Sequence, residues 1–516
     1  MATDNADTKV ERHQEGDSPM NVMRTKTIEQ TIREGDEPEY QLKKRLTALD
    51  LTVFGVGVVI GAGIFTVAGR AAHSLAGPAI VLSFIVAAVC CALAALCYAE
   101  FASAIPVSGS AYTFSYASLG EIVAWIIGWD LLLELMLGAS VVAQGWSAYL
   151  GVFLERLGVT IPESVAYGSH FDLPAFLLVA VLTVLVSIGI QESMRVNMAL
   201  VALKVFIVLF VIIAGIGYIK TSNYTPFIPP TQPTEGSATT LEAPLIQTLF
   251  GLTPSAFGVG GILAGASLVF FAYIGFDVVA TTAEEAKNPA RDLPRGIIGS
   301  LVICTILYCA VALVMTGMVR YDQLSSEASL AKIFEDVGKP FYATLISAGA
   351  VAGLTTVVMT LLIGSSRVVF AMSRDWLLPP SLGKTNPRTG TPVKITVGIG
   401  TIVALVAALT PIGKLEYMIN IGTLTAFLLV SLAVPVLRKR RPDFERPFKV
   451  PFSPVLPWIS AAICAYLMLT LPLETWIRFA IWMALGFLIY FVYGYKRSRL
   501  SGNPHPSDAP PSMTST

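Results

Sequence analysis

Three ionisable side chains lie inside long apolar runs. Lys204 is embedded in Ala-Leu-Val-Ala-Leu-Lys-Val-Phe, Glu134 in Trp-Asp-Leu-Leu-Leu-Glu-Leu, and Asp277 closes Phe-Phe-Ala-Tyr-Ile-Gly-Phe-Asp. Ionisable groups at such depth are costly in hydrocarbon and are as a rule functional. A buried lysine can release its proton at accessible pH. Lys204 therefore reads as a coupling-cation or proton site, or as half of a structural salt bridge. Glu134 can face a substrate cavity, titrate or pair with a cation; its structural alternative is a hydrogen bond between helices. Asp130 comes one turn earlier and reads as a residue nearer the interface. Asp277 follows a glycine and reads as an N-cap for the helix beyond it. Arg367 and Arg374 stand toward the end of a long apolar segment, from which their side chains can snorkel out.

Two apolar runs are interrupted by glycine. The first contains Val59-Ile-Gly-Ala-Gly-Ile-Phe65, preceded by Gly55 and Gly57. The other is broken at Gly275 and Asp277, after Gly258, Gly260, Gly261 and Gly265 and before Glu284 and Glu285. Glycine weakens a helix by about 1 kcal/mol. Unwound backbone at membrane depth is tolerated only where it lines a cavity or is buried in protein. Close helix packing through small residues is the other use of such glycines. Phe271, Tyr273 and Phe276, beside the second interruption, suit a gate or a pocket wall. The interruptions fall in the first and sixth apolar segments, and paired breaks in corresponding segments point to a binding site between two repeats. A broken helix presents free N–H groups and a positive dipole end to a carboxylate. Its freed carbonyls suit an ammonium group, so a zwitterion could be held without a charged side chain.

The elements that position these residues are membrane spans. Of 516 residues, 54% are hydrophobic and only 14% charged, against roughly 25% charged in soluble domains; mean hydropathy is +0.68. A crossing helix needs about 20 mostly apolar residues. About twelve segments qualify: 46–71, 79–104, 122–150, 174–190, 197–219, 260–283, 296–319, 340–373, 393–410, 415–437, 455–471 and 476–495. The expected fold is an all-α integral membrane protein. Its core would run from 41 to 440, with spans 1–5 in 46–219 and spans 6–10 in 260–437; two further helices would fill 441–495. The flanks, 1–40 and 496–516, read as polar, disordered tails, and no cleavable leader is evident in the first. Basic residues gather in alternate loops, at Lys43–Arg45, Arg195, Lys287–Arg295, Arg374–Arg388, Arg438–Arg446 and Lys496–Arg499. That alternation places both tails in the cytoplasm. The uncharged loop Pro106-Val-Ser-Gly-Ser-Ala-Tyr112 reads as a re-entrant segment or as an ordinary turn.

Several functions are disfavoured. Net charge is zero, so no bulk electrostatic pull draws the chain to nucleic acid, a local basic patch aside. The six cysteines lie in apolar stretches without metal-ligand spacing and read as small buried hydrophobes. The four histidines lie outside the apolar cores, and no metalloprotease or serine-hydrolase motif is present. An enzyme is not expected, nor any cofactor or metal.

The chain resembles the amino acid–polyamine–organocation superfamily and, within it, the cationic amino acid transporter group. The resemblance covers about 40–495 and rests on an ordered set of stretches. These are Ile60-Gly-Ala-Gly-Ile-Phe65, Pro106–Tyr112, Trp129–Ser147, Tyr273-Ile-Gly-Phe-Asp277 and Glu284-Glu-Ala-Lys-Asn-Pro289 leading to Arg291-Asp-Leu-Pro-Arg-Gly296, then Arg367–Asp375. It implies a LeuT-like fold of five-plus-five inverted repeats and two extra helices. It implies that the amides of Ala62 and Gly63, with Ile64 beside them, hold a substrate carboxylate. The carbonyls of Val59, Phe271 and Ile274, with Ala272 between, would hold the ammonium. Lys204 would take the place of a sodium ion, which implies H⁺ as coupling ion or exchange, and Glu134 matches a glutamate important for transport. Thr355, Thr356 and Met359 are candidates for fitting the substrate side chain. The activity implied is alternating-access transport of neutral or cationic L-amino acids across the cell membrane, in contact with lipid and without a nucleic-acid partner; the oligomeric state is open. The alternatives are a sodium-independent exchanger, an amine or polyamine carrier, and an amino-acid-sensing transceptor.

Overall fold

The computed structural model describes residue 24 and residues 46–104, 110–189, 194–233, 241–251, 255–324, 328–386 and 391–500. The rest of the two expected tails, Pro106–Gly109 of the uncharged loop and Arg388 lie outside the described residues. Within that set, eight helices are long and apolar enough to cross a membrane, and four more are apolar but shorter. Together they account for all twelve expected spans.

Span 1 starts at a capping box in which Thr47 Oγ1 accepts from the Asp50 amide while the Asp50 carboxylate accepts from the Thr47 amide. Its helix, Ala48–Val59, stops at Ile60, and the chain resumes as a π-helical turn, Gly63–Val67, followed by Ala68–Ala71. Span 2 is Ile80–Ala104, span 3 Glu121–Arg156, span 4 Leu173–Ser187 and span 5 Met194–Ile216. Span 6 runs as Gly258–Val269, then as 3₁₀ turns over Phe270–Tyr273 and Asp277–Glu285. Spans 7, 8, 9 and 10 are Pro289–Met318, Pro340–Arg374, Val393–Leu409 and Ile412–Arg440. Proline occupies the first turn of spans 4, 7 and 8, where its missing N–H has no helical partner to lose. Spans 11 and 12 begin as Val455–Leu469 and Leu473–Ile489. Between spans 5 and 6 the only described strand pairing is a two-residue ladder, Gln232–Pro233 against Ser255–Ala256.

Four of the five pairs of spans five apart pack together. Span 2 lies along span 7, span 3 along span 8, and span 4 along span 9, while the turns beyond the break in span 1 meet those in span 6. Two related five-span units would give this pairing. Span 12 adheres to span 3 through tryptophans. Trp125 and Trp129 donate to the carbonyls of Gly486 and Trp482, and the rings of Trp129 and Trp482 stack at 4.4 Å. The outward faces are apolar, with Leu177, Val181, Val184 and Ile188 on span 4 and Ile481, Leu485 and Leu488 on span 12 all exposed. Such stripes at helical spacing suit hydrocarbon as the surrounding solvent. After the undescribed part of the uncharged loop, Ser110–Ser118 is a helix with Ala111, Tyr112, Phe114 and Tyr116 buried. Five of the six cysteines are buried and none forms a disulfide.

Candidate functional site

Both expected interruptions are present, and they touch. At the first, Ile60 leaves the helix at ψ 87°. The last-turn carbonyls are then claimed one by one. Val56 O accepts from the Ile60 amide at 2.9 Å, Gly57 O from Lys204 Nζ at 2.6 Å, and Val59 O from Tyr308 Oη at 2.7 Å. At the second, Ile274 is extended (φ −59°, ψ 137°) and Gly275 has φ +112°, a conformation that only glycine adopts without strain. The breaks lie back to back with no room for a methyl group between them. A Cβ on Gly63 would stand 2.2 Å from Ala272 Cα, and one on Gly275 would stand 2.7 Å from Val58 Cγ1. Gly55 and Gly57 are packing glycines, pressed against Ser300 of span 7 and Val201 of span 5. The glycines of span 1 thus serve both uses open to them from sequence, close packing below the break and unwinding at it.

A cavity of about 30 Å³ lies beside the breaks, lined by Val58, Val59, Gly61, Ala62, Gly63, Phe271 and Ile274. Its opposite wall is Glu134, Gly138 and Val142 of span 3, spaced four apart on one face, with Val357 and Leu361 of span 8. The space suffices for about two water molecules. Glu134 is its only titratable lining residue. The residue is 2% exposed, and its Oε1 is buried without a hydrogen bond.

The residues expected from sequence divide into those at the cavity and those behind it. Val59, Ala62, Gly63, Phe271, Ile274 and Glu134 line it. Ile64 is fully buried in the π-helical turn and Ala272 backs Gly63, so neither reaches the cavity. Tyr273 points away, its hydroxyl donating to Phe84 O at 3.0 Å. Thr355 bonds back to Val351 O, and neither it nor Thr356 nor Met359 lines the cavity; Val357 and Leu361 form the span 8 wall instead. Lys204 also stands outside the lining, gripping span 1 from behind. Its stem crosses span 8 where Gly353 leaves space, since a Cβ there would lie 2.7 Å from Lys204 Cγ. Asp277 is not the N-cap, a position held by Phe276. Its carboxylate lies close to the backbone around Gly275 and Val278, and its Oδ1 is buried without a hydrogen bond. Sequence reasoning did not find Tyr308 or Gly353. A lone tyrosine in an apolar run and one glycine among many carry no signal until the fold brings them to span 1.

The family model described as amino acid permease matches residues 46–492. The chain belongs to that family. It is 44% identical to a branched-chain amino acid permease of Bacillus subtilis over 489 residues, which is 93% of this chain and 99% of that protein. It is also 44% identical to a methylthioribose transporter of Bacillus subtilis over 466 residues, covering 89% and 95% of the two chains. A vacuolar cationic amino acid transporter 4 of Arabidopsis thaliana is 37% identical over 436 residues, or 82% and 68%. The permease is thus a multi-pass membrane transporter of the amino acid–polyamine–organocation superfamily, not an enzyme.

Proposed function

We propose that this permease carries L-amino acids with compact apolar side chains by alternating access, coupled to protons, in the cell membrane. The observation that supports this most is the pairing of two helix breaks with an aliphatic wall. Free amides at Ala62 and Gly63 suit the carboxylate, and the carbonyls of Phe271 and Ile274, with a remaining lone pair of Val59, suit the ammonium. Val58, Val142, Val357 and Leu361 then receive an aliphatic side chain. The cavity is too small for such a substrate as it stands, so the breaks must part to admit it. Opening and closing around a fixed site is what the five-plus-five inverted-repeat reading supplies.

Proton coupling rests on Glu134. One of its oxygens has no partner beside the substrate space, and a group whose proton affinity differs between two conformations couples the proton to their exchange. Lys204 sets its amino group against the Gly57 carbonyl, where a sodium-coupled carrier would need an ion. Arg24 bonds to Leu500 O, so both described ends of the chain share one face. That face also holds the basic ends of spans 10 and 12, which supports a cytoplasmic assignment.

The test is uptake by sodium-free proteoliposomes of labelled leucine, arginine and methylthioribose, with and without an inward proton gradient. Gradient-driven leucine uptake that Glu134→Gln uncouples and Lys204→Met abolishes supports the reading. Leucine exchange indifferent to the gradient retains the carrier and rejects proton coupling. Preference for methylthioribose rejects the zwitterion site, because that sugar has neither a carboxylate nor an ammonium group. Arginine preference makes Glu134 a side-chain partner.

A further inference from the structure

At the face that carries both chain ends, a fully buried carboxylate is neutralised by a residue far away in sequence. Glu121 is the first residue of span 3 and is 0% exposed. Its oxygens accept from Arg24 Nη2 at 2.9 Å, Tyr490 Oη at 2.9 Å, Tyr116 Oη at 3.1 Å and Ser498 Oγ. The two terminal nitrogens of the Arg24 guanidinium find further partners, while its Nε is buried without a hydrogen bond. Nη1 donates to Leu500 O at 3.1 Å, Nη2 to Tyr495 O at 2.9 Å, and the group lies 4.8 Å over the Tyr495 ring. The main chain joins in, with the Glu121 amide donating to Arg24 O at 2.8 Å. A planar fork of donors, two carbonyls, a carboxylate and an aromatic face match guanidinium chemistry and fit an ammonium poorly. Among the described residues, Arg24 makes the only recorded ion pair with Glu121.

We propose that this is a guanidinium-recognition pocket whose resident ligand is Arg24 of the chain's own N-terminal tail. The pocket clasps the tail to the ends of spans 3 and 12. Its walls come from three elements: the first turn of span 3, the short helix Ser110–Ser118 through Tyr116, and the end of span 12. The same short helix sends Tyr112 Oη to Asp375 Oδ2 at 2.7 Å, at the end of span 8. Withdrawal of Arg24 leaves a buried, uncompensated carboxylate, the arrangement proteins tolerate least. Tail position is thereby linked to the order of this face. Glu121 stands 13 residues before Glu134 on one helix, about 20 Å away along its axis. The clasp therefore acts on the ends of spans 3 and 12 and not on substrate contacts, and it does not depend on which substrate is carried.

Two measurements on the full-length protein in nanodiscs test it. The first is limited trypsin digestion, read at the Arg24–Thr25 bond. Protection in the parent and at least tenfold faster cleavage in Glu121→Gln support the clasp; equal rates overturn it. The second uses Arg24→Ala with ethylguanidinium as probe and thermal melting as readout. A lowered melting temperature that ethylguanidinium restores, that ethylammonium does not, and that is not restored in Arg24→Ala/Glu121→Gln supports a built pocket. A parental melting temperature in Arg24→Ala, or a response to ethylguanidinium no different from that of the parent, overturns it.

Discussion

Gly63→Ala tests the contact on which the whole site depends. The added methyl carbon would stand 2.2 Å from Ala272 Cα, 2.5 Å from Ala272 Cβ and 3.0 Å from Ala272 N. Non-bonded carbons settle at about 3.5–4.0 Å, so span 6 would have to retreat by about 1.3–1.8 Å at its own break. What must move is backbone, and no rotamer change relieves it. Overpacking of this kind costs about 1–3 kcal/mol. The displaced atoms belong to the turn whose Phe271 carbonyl is offered to the substrate. Gly61→Ala is the control two residues away. Its methyl would meet Val357 Cγ1 at 3.6 Å, an ordinary contact, but it would enter the 30 Å³ cavity. Melting and equilibrium binding of labelled leucine would be measured on purified protein. Gly63→Ala is expected to lower stability by about 1–3 kcal/mol and binding by at least about tenfold. Gly61→Ala should melt within about 0.5 kcal/mol of the parent while losing binding. Parental stability and binding in Gly63→Ala would show that the breaks are not in rigid contact and would refute the geometry argued above.

Two further predictions concern groups outside the cavity. Tyr308→Phe keeps the ring contacts with Phe84 and Tyr273 but strips the Val59 carbonyl of its donor; denaturant unfolding should show a loss of about 1–3 kcal/mol. Asp172, the N-cap of span 4, takes hydrogen bonds from the Ser147 hydroxyl and the Ala175 amide, yet burial pushes its carboxyl up to about 6. An unfolded aspartate titrates near about 3.9, so the folded chain holds this proton more tightly. The resulting stabilisation is complete below about pH 4 and is lost as pH rises through about 6. Melting temperature should accordingly fall across that window in the parent and be flatter in Asp172→Asn.

Much of this protein was legible in its residue order because the bilayer imposes local rules. A crossing needs a set length of apolar chain, and a polar or flexible interruption within it is expensive enough to signal purpose. The twelve spans, the breaks at Gly61–Gly63 and Gly275, and the buried Glu134 and Lys204 follow from those rules alone. Rotation of each helix about its axis does not. Span 8 is apolar on nearly every side, so its sequence carries no strong amphipathic direction; packing against span 3 turned Val357 and Leu361, and not Thr355 and Met359, toward the cavity. Asp277 read as a cap because it follows a break, but the tight turn after Gly275 puts Phe276 at the cap and Asp277 one residue inside the turn, with Oδ1 buried and unpartnered. Partners distant in sequence were likewise settled by tertiary structure. Lys204 finds Gly57, Tyr308 finds Val59 and Arg24 finds Glu121 across 147, 249 and 97 residues. Apolar span length and mid-span polarity are written locally along the chain, whereas facing and pairing depend on how whole helices pack.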